Sequence, residues 1–115
     1  MSATQFERSI GGIATAVAAA GNAQSNATAI TAGKNIVTSA TGTSADGLRL
    51  SAALGAGEIV YIANTTNVAL DVFPPTGGSI NGGSANAAVV LRGNAMGVYM
   101  SLGGGNWAAT VDATA

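Results

Sequence analysis

The chain has no cysteine and no histidine in 115 residues. Without cysteine there is no disulfide, no thiolate nucleophile and no cysteine-based zinc site. Without histidine the commonest general base and the imidazole of every Ser-His or Cys-His pair are missing. Charge is also scarce. Asp, Glu, Lys and Arg make up 8% of the chain, against about 25% in an average soluble domain. Net charge is −1, and no basic cluster gathers the several Lys or Arg side chains that phosphate binding requires, which argues against a nucleic-acid partner. No run reaches the roughly 18 apolar residues of a membrane helix. The alanine-rich start, with Glu7 and Arg8 of opposite sign and Gly11, Gly12 and Thr15 interrupting it, is a poor secretory signal. Synthesis in a cytoplasm and no membrane partner are the resulting expectations. Aromatic residues are few, at 4%.

What is present is Ala, Ser, Thr, Asn and 17 glycines. A surface built from these residues carries little of the charge that keeps proteins apart, and burial of much of it in an assembly follows naturally. The length suits one domain.

From Ala27 onward, short apolar runs alternate with turn residues every 8 to 12 positions or so, the pattern of a β-sandwich or barrel. Runs at 27–30, 34–40, 48–50, 59–62, 69–73, 87–91, 96–102 and 107–111 predict an all-β, compact, sandwich or jelly-roll-like domain of about eight short strands. No repeat of fixed period is visible, which disfavours a solenoid. Around the centre, Ile59 to Ile62 and Ala69 to Phe73 flank Asn64-Thr65-Thr66-Asn67 and read as a hairpin. Pro74-Pro75 ends it, because two backbone donors are lost there. Gly77-Gly78 and Asn81-Gly82 supply positions tolerant of positive φ. Asp46-Gly47 reads as a reverse turn before Leu48-Arg49-Leu50, with both leucines inward and Arg49 outward. The clearest alternation sets Met96, Val98, Met100 and Leu102 against Gly97, Tyr99 and Ser101, a strand with one apolar face.

Residues 1–26 differ. Phe6, Ile10, Ile13 and Val17 fall at spacings that fit one face of a short helix, although Gly11-Gly12 costs such a helix roughly 2 kcal/mol. An N-terminal arm or short helix that docks on something else is expected over 1–26, a sandwich domain over 27–112 and a frayed tail over 113–115.

Chemical motifs are thin. Gly103-Gly104-Gly105-Asn106-Trp107-Ala108 matches the glycine pattern of dinucleotide loops, but it stands at the C-terminal end and opens no helix, so a hairpin turn is the better reading. The carboxylates at 7, 46, 58, 71 and 112 form no local metal-ligand cluster, and no metal or cofactor is expected. Glu58 and Asp71, facing each other across the expected hairpin, would be a glycosidase pair only in the less favoured reading; a polar rim is the favoured one. Asn26-Ala27-Thr28 and Asn64-Thr65-Thr66 fit the glycosylation sequon, but turn and capping roles suit them better. Tyr61, Tyr99 and Trp107 would stack a sugar if exposed, yet a domain so poor in aromatics needs them in its core or at a subunit interface. Nothing here equips an enzyme.

Several phrases together resemble small virion proteins of tailed bacteriophages, of the capsid decoration or cement type. They are Gly21-Asn22-Ala23-Gln24, Asp46-Gly47-Leu48-Arg49-Leu50, Gly57-Glu58-Ile59-Val60-Tyr61-Ile62-Ala63-Asn64-Thr65, and the run from Val72-Phe73-Pro74-Pro75 to Ile80-Asn81-Gly82, with Trp107 near the end. The resemblance implies a homotrimer on the outside of a virion shell, bridging major capsid protein subunits. On that expectation Phe6, Ile10, Ile13 and Val17 form the capsid-contact arm, and Met96, Val98, Met100, Leu102 and Trp107 form the trimer interface. A trimeric tail-fibre or receptor- or carbohydrate-binding module is the alternative.

Overall fold

The computed structural model describes residues 12–40 and 46–111. It is all-β, with nine strands among the described residues: β1 (Ile13–Ala18), β2 (Thr28–Ala29), β3 (Lys34–Ser39), β4 (Asp46–Arg49), β5 (Ile59–Asn64), β6 (Leu70–Phe73), β7 (Val89–Leu91), β8 (Ala95–Gly103) and β9 (Asn106–Thr110). They form two mixed sheets. Sheet A has the order β1-β3-β5-β8-β9, and sheet B the order β2-β4-β6-β7. Val37, Val60, Ile62, Tyr99 and Trp107 from sheet A meet Leu48, Leu50, Leu70, Val72 and Leu91 from sheet B in a single core. The expected β-sandwich is therefore what the chain builds.

Its connectivity has a feature that the sequence concealed. Strands β1 to β6 alternate between the sheets, and within each sheet the first three lie parallel. The chain thus winds back and forth between sheets like a short coil, where a jelly roll would run antiparallel. Ile13 pairs with Lys34 and Lys34 with Tyr61, whereas Thr28 pairs with Leu48 and Leu48 with Val72. These steps are unequal, so the winding leaves no fixed period to detect. Antiparallel β7, β8 and β9 finish the stack.

The same winding corrects the central hairpin. β5 and β6 do not pair; they lie in different sheets, and the polar residues between them form an arch. Asn64 holds it. Its side chain is buried, and Nδ2 donates to the carbonyls of Val68 (2.8 Å), Arg92 (3.1 Å) and Leu91 (3.4 Å). Its Oδ1 accepts from the Thr66 amide and hydroxyl at 3.1 and 2.7 Å. A buried corner needs its backbone groups satisfied, and one carboxamide does most of that here.

Asp46-Gly47 is likewise strand rather than turn. A Cβ on Gly47 would sit 3.0 Å from both Ala27 Cβ and Phe73 Cε2, so the glycine makes room for the Phe73 ring on the outer side of sheet B. That side is covered. Residues 20–27 cross it through a single 3-10 turn (Gln24–Asn26). Gln24 Nε2 donates to the Pro74 carbonyl at 2.8 Å, and Arg49 Nη1 donates to the Gln24 carbonyl at 2.8 Å.

Residues 13–18 are a strand, which corrects the helix reading of this stretch. β1 runs parallel to β3, Val17 packs against the core and Ala19 is buried in it. Paired with β3, the β-branched Ile13 and Val17 are better placed in a strand than in a lone helix interrupted by glycine. The stretch from Gly12 to Ala27 is thus integral to the sandwich instead of a separate arm. Removing residues 1–11 is expected to leave the thermal midpoint within a few degrees of the full chain's, whereas removing residues 1–20 takes away an edge strand and a core alanine and should lower it by well over 5 °C. Thermal melts followed by circular dichroism separate the two.

Candidate self-association face

Sheet A has an uncovered outer side. Register places its residues in rows across the strands. Ile36, Ala63 and Met96 form one row, Lys34, Tyr61, Val98 and Thr110 a second, and Ile59, Met100 and Ala108 a third. Ile13 extends the second row beside Lys34, and Leu102 stands beyond the third on β8. Large apolar side chains here face solvent: Ile13 is 57% exposed, Met96 53%, Leu102 51% and Met100 38%. Lys34 is the only charged residue in these rows. Contiguous exposed apolar surface without charge is unusual on a monomeric protein and marks a contact region.

The alternation in β8 explains the orientation. Tyr99, Gly97 and Ser101 point inward. The Tyr99 ring lies against Gly97, where an added Cβ would meet the phenol oxygen at 2.6 Å. One large ring beside one absent side chain fills the core, and the methionines, Val98 and Leu102 are left on the other side of the pleat.

Trp107 does not belong to this face. It is 1% exposed and sits in the core beside Ser101 in register, so its assignment to the trimer interface is corrected. The side chains of Tyr99 and Trp107 are both enclosed, and the Tyr99 hydroxyl and Trp107 Nε1 find no hydrogen-bond partner. Burial raises the Tyr99 phenol above its ordinary pKa. A sugar-stacking platform of Tyr61, Tyr99 and Trp107 is thereby ruled out, since only Tyr61 reaches the surface, half-buried. Of the four arm residues, Ile13 is exposed, Val17 is packed on the core, and Phe6 and Ile10 lie outside the described residues, as do the turn at 41–45 and the tail at 113–115.

Glu58 and Asp71 are not a pair. Glu58 Oε1 accepts from the Gly55 amide at 2.8 Å, bracing the turn before β5, while Asp71 lies in sheet B between Gly47 and Val90. Partial burial raises the Asp71 carboxyl above its ordinary value. The glycine run at 103–105 is the β8–β9 hairpin, with all three residues at positive φ, as the turn reading required.

Reading the sequence did not single out Ile36, Tyr61 and Ala63 for this face. With Lys34, Asn35 and Met96 they line a concavity of about 330 Å3. The signal available was their alternation in step with Asn35, Val37, Val60 and Ile62. Comparison with protein-family models, curated proteins and solved structures yields no match for the chain.

Proposed function

We propose that this chain is a structural virion protein of the capsid decoration or cement type, which self-associates as a homotrimer through the outer side of sheet A and stabilises a shell by binding major capsid protein subunits. The observation that carries the reading is the exposed apolar row set of sheet A on a chain with almost no charge. Supporting it, the chain lacks histidine and cysteine, and its carboxylates at 58 and 71 are separated and tied to structural roles. Such a molecule acts by contact. Weak contacts repeated around a symmetric particle sum through avidity, so a small, uncharged surface is sufficient. The N-terminal residues, with Phe6 and Ile10, are the proposed shell contact.

Co-sedimentation of the purified protein with undecorated shells of a tailed phage tests this directly. Saturable binding that raises the shell's thermal disruption point, and that is lost on removing residues 1–11, is the expected result. Absence of shell binding together with selective binding on a glycan array would favour the carbohydrate-binding module instead, with Tyr61 as its one accessible ring.

A further inference from the structure

We infer that the self-association contact is knob-in-socket: Met100 and Leu102 of one copy seat in the concavity formed by Ile36, Tyr61, Ala63 and Met96 of the next. This inference rests on reading sheet A's outer side as the association surface, and adds which parts of it meet.

The socket follows from register. Ala63 lies between Ile36 and Met96 in one cross-strand row, so a short side chain forms the floor and longer ones form the walls. The knob lies at the other end of β8. Met100 has the small Ala108 beside it on β9. Leu102 falls at the register shift between Ser101 and Gly103, so no paired residue flanks it and it rises above the sheet.

Socket and knob cannot meet within one molecule. Met96 and Leu102 lie on the same rigid strand, and six residues of strand place them roughly 20 Å apart. A second copy is therefore the occupant that the chain itself supplies. The lining chemistry agrees. The Asn35 carboxamide already donates to the carbonyls of Ala32 and Tyr61, at 2.8 and 3.2 Å, leaving Lys34 as the one charged group at the rim. A small molecule would find few polar anchors to orient it, whereas an apolar side chain needs none.

Association by edges is hindered on both sides of sheet A. The β9 edge is occupied by Ser79 to Asn81, with Trp107 N donating to Ser79 O and Asn81 N to Trp107 O, both at 2.8 Å. Asn81 also pairs its side chain with both backbone groups of Ala109, at 2.8 and 3.1 Å. The β1 edge is broken by two register shifts, a device that discourages strand addition. Because each copy carries one knob and one socket, the contact is head-to-tail and can close into a ring.

The absence of native cysteine makes the test clean. Ala63→Cys and Leu102→Cys variants are prepared separately, mixed, and oxidised. A disulfide-linked pair containing one of each is expected, with far less linkage when either variant is oxidised alone or when Leu102→Cys is mixed with Ser25→Cys. Separately, Ala63→Trp should fill the socket and weaken association at least tenfold, while its thermal midpoint shows the fold retained. An oligomer that persists without the cross-link, and with Ala63→Trp at the native mass, overturns the knob-in-socket contact and leaves association through sheet A standing. A cross-link from Phe6→Cys to Ala63→Cys in place of the Leu102 one overturns it in favour of the N-terminal segment. A monomer at every concentration removes both readings.

Discussion

Trp107→Ala is expected to lower stability by about 3–5 kcal/mol, as truncation of a large core aromatic typically does. A domain of this size commonly has about 5–15 kcal/mol in hand, so the variant should sit near its unfolding threshold at 37 °C. The cause is geometric. Trp107 is among the largest fully enclosed side chains, and it anchors two elements at once: β9, paired with β8, and the Ser79–Asn81 return that bridges to it. Removing the indole opens a cavity where sheet A meets the chain coming from sheet B. Trp107→Phe should cost less than half as much, because it keeps most of the packing and removes an indole N–H that has no acceptor. The same logic gives the sign for Tyr99→Phe. Its hydroxyl is buried and unpaired, so deletion should be neutral or stabilising by up to about 1 kcal/mol. Urea unfolding followed by far-ultraviolet circular dichroism measures all three. A Tyr99→Phe loss as large as that of a broken buried hydrogen bond would contradict this description of the core.

Asn64→Asp is the second large effect, and its size depends on pH. The substitution replaces an NH2 donor with an oxygen, facing the carbonyls of Val68, Leu91 and Arg92 that the amide now serves. An anion there would be desolvated and surrounded by acceptors, at a cost of about 3 kcal/mol or more. The folded state therefore holds the new carboxyl above its unfolded value of about 3.9. The linkage sign follows. A raised folded pKa means that the favourable contribution of the protonated acid, which can still donate one hydrogen bond, is present below the unfolded pKa and is lost as pH rises through the folded one. The variant should approach wild-type stability near pH 4 and fall well below it at pH 7. Asn64→Ala, which does not titrate, should show a deficit nearly constant over that range. An Asn64→Asp deficit that does not grow with pH would mean that Asn64 is not the arch's donor.

Much of the strand pattern was legible because period-two alternation reports directly on the pleat. Leu48 and Leu50 are buried, Arg49 is not, and Leu91 and β8 fall where the alternation put them. What misled was information held in distant contacts. An Asn-Thr-Thr-Asn stretch serves a hairpin or an arch equally well; the deciding bonds run from Asn64 to Leu91 and Arg92, in a different sheet's connection. Asp46-Gly47 has the composition of a turn, yet the glycine is required by the Phe73 ring that packs over it. Phe6, Ile10, Ile13 and Val17 have helical spacing, but pairing with β3 decides the conformation of the last two.

The site was legible to the same degree. Alternation separated Met96, Val98, Met100 and Leu102 from their neighbours, and these four do share one open side of sheet A. The row across the sheet, which adds Ile36, Tyr61 and Ala63, depends on register between strands far apart in sequence and could not be read from any one segment. Trp107 was grouped with the wrong side because a single aromatic in a short strand carries no phase of its own. Register with Ser101 supplies that phase.

Sedimentation velocity on the native chain and on Met100→Asp, each over a hundredfold range of concentration, tests most directly whether the outer side of sheet A is an association surface. The native chain is expected to sediment as a trimer of 11.0 kDa subunits, and Met100→Asp as a monomer with an unchanged circular dichroism spectrum, since the new carboxylate would be exposed in the free molecule and buried without a partner in the trimer. A native chain that stays monomeric throughout, or a Met100→Asp trimer as stable as the native one, would contradict it.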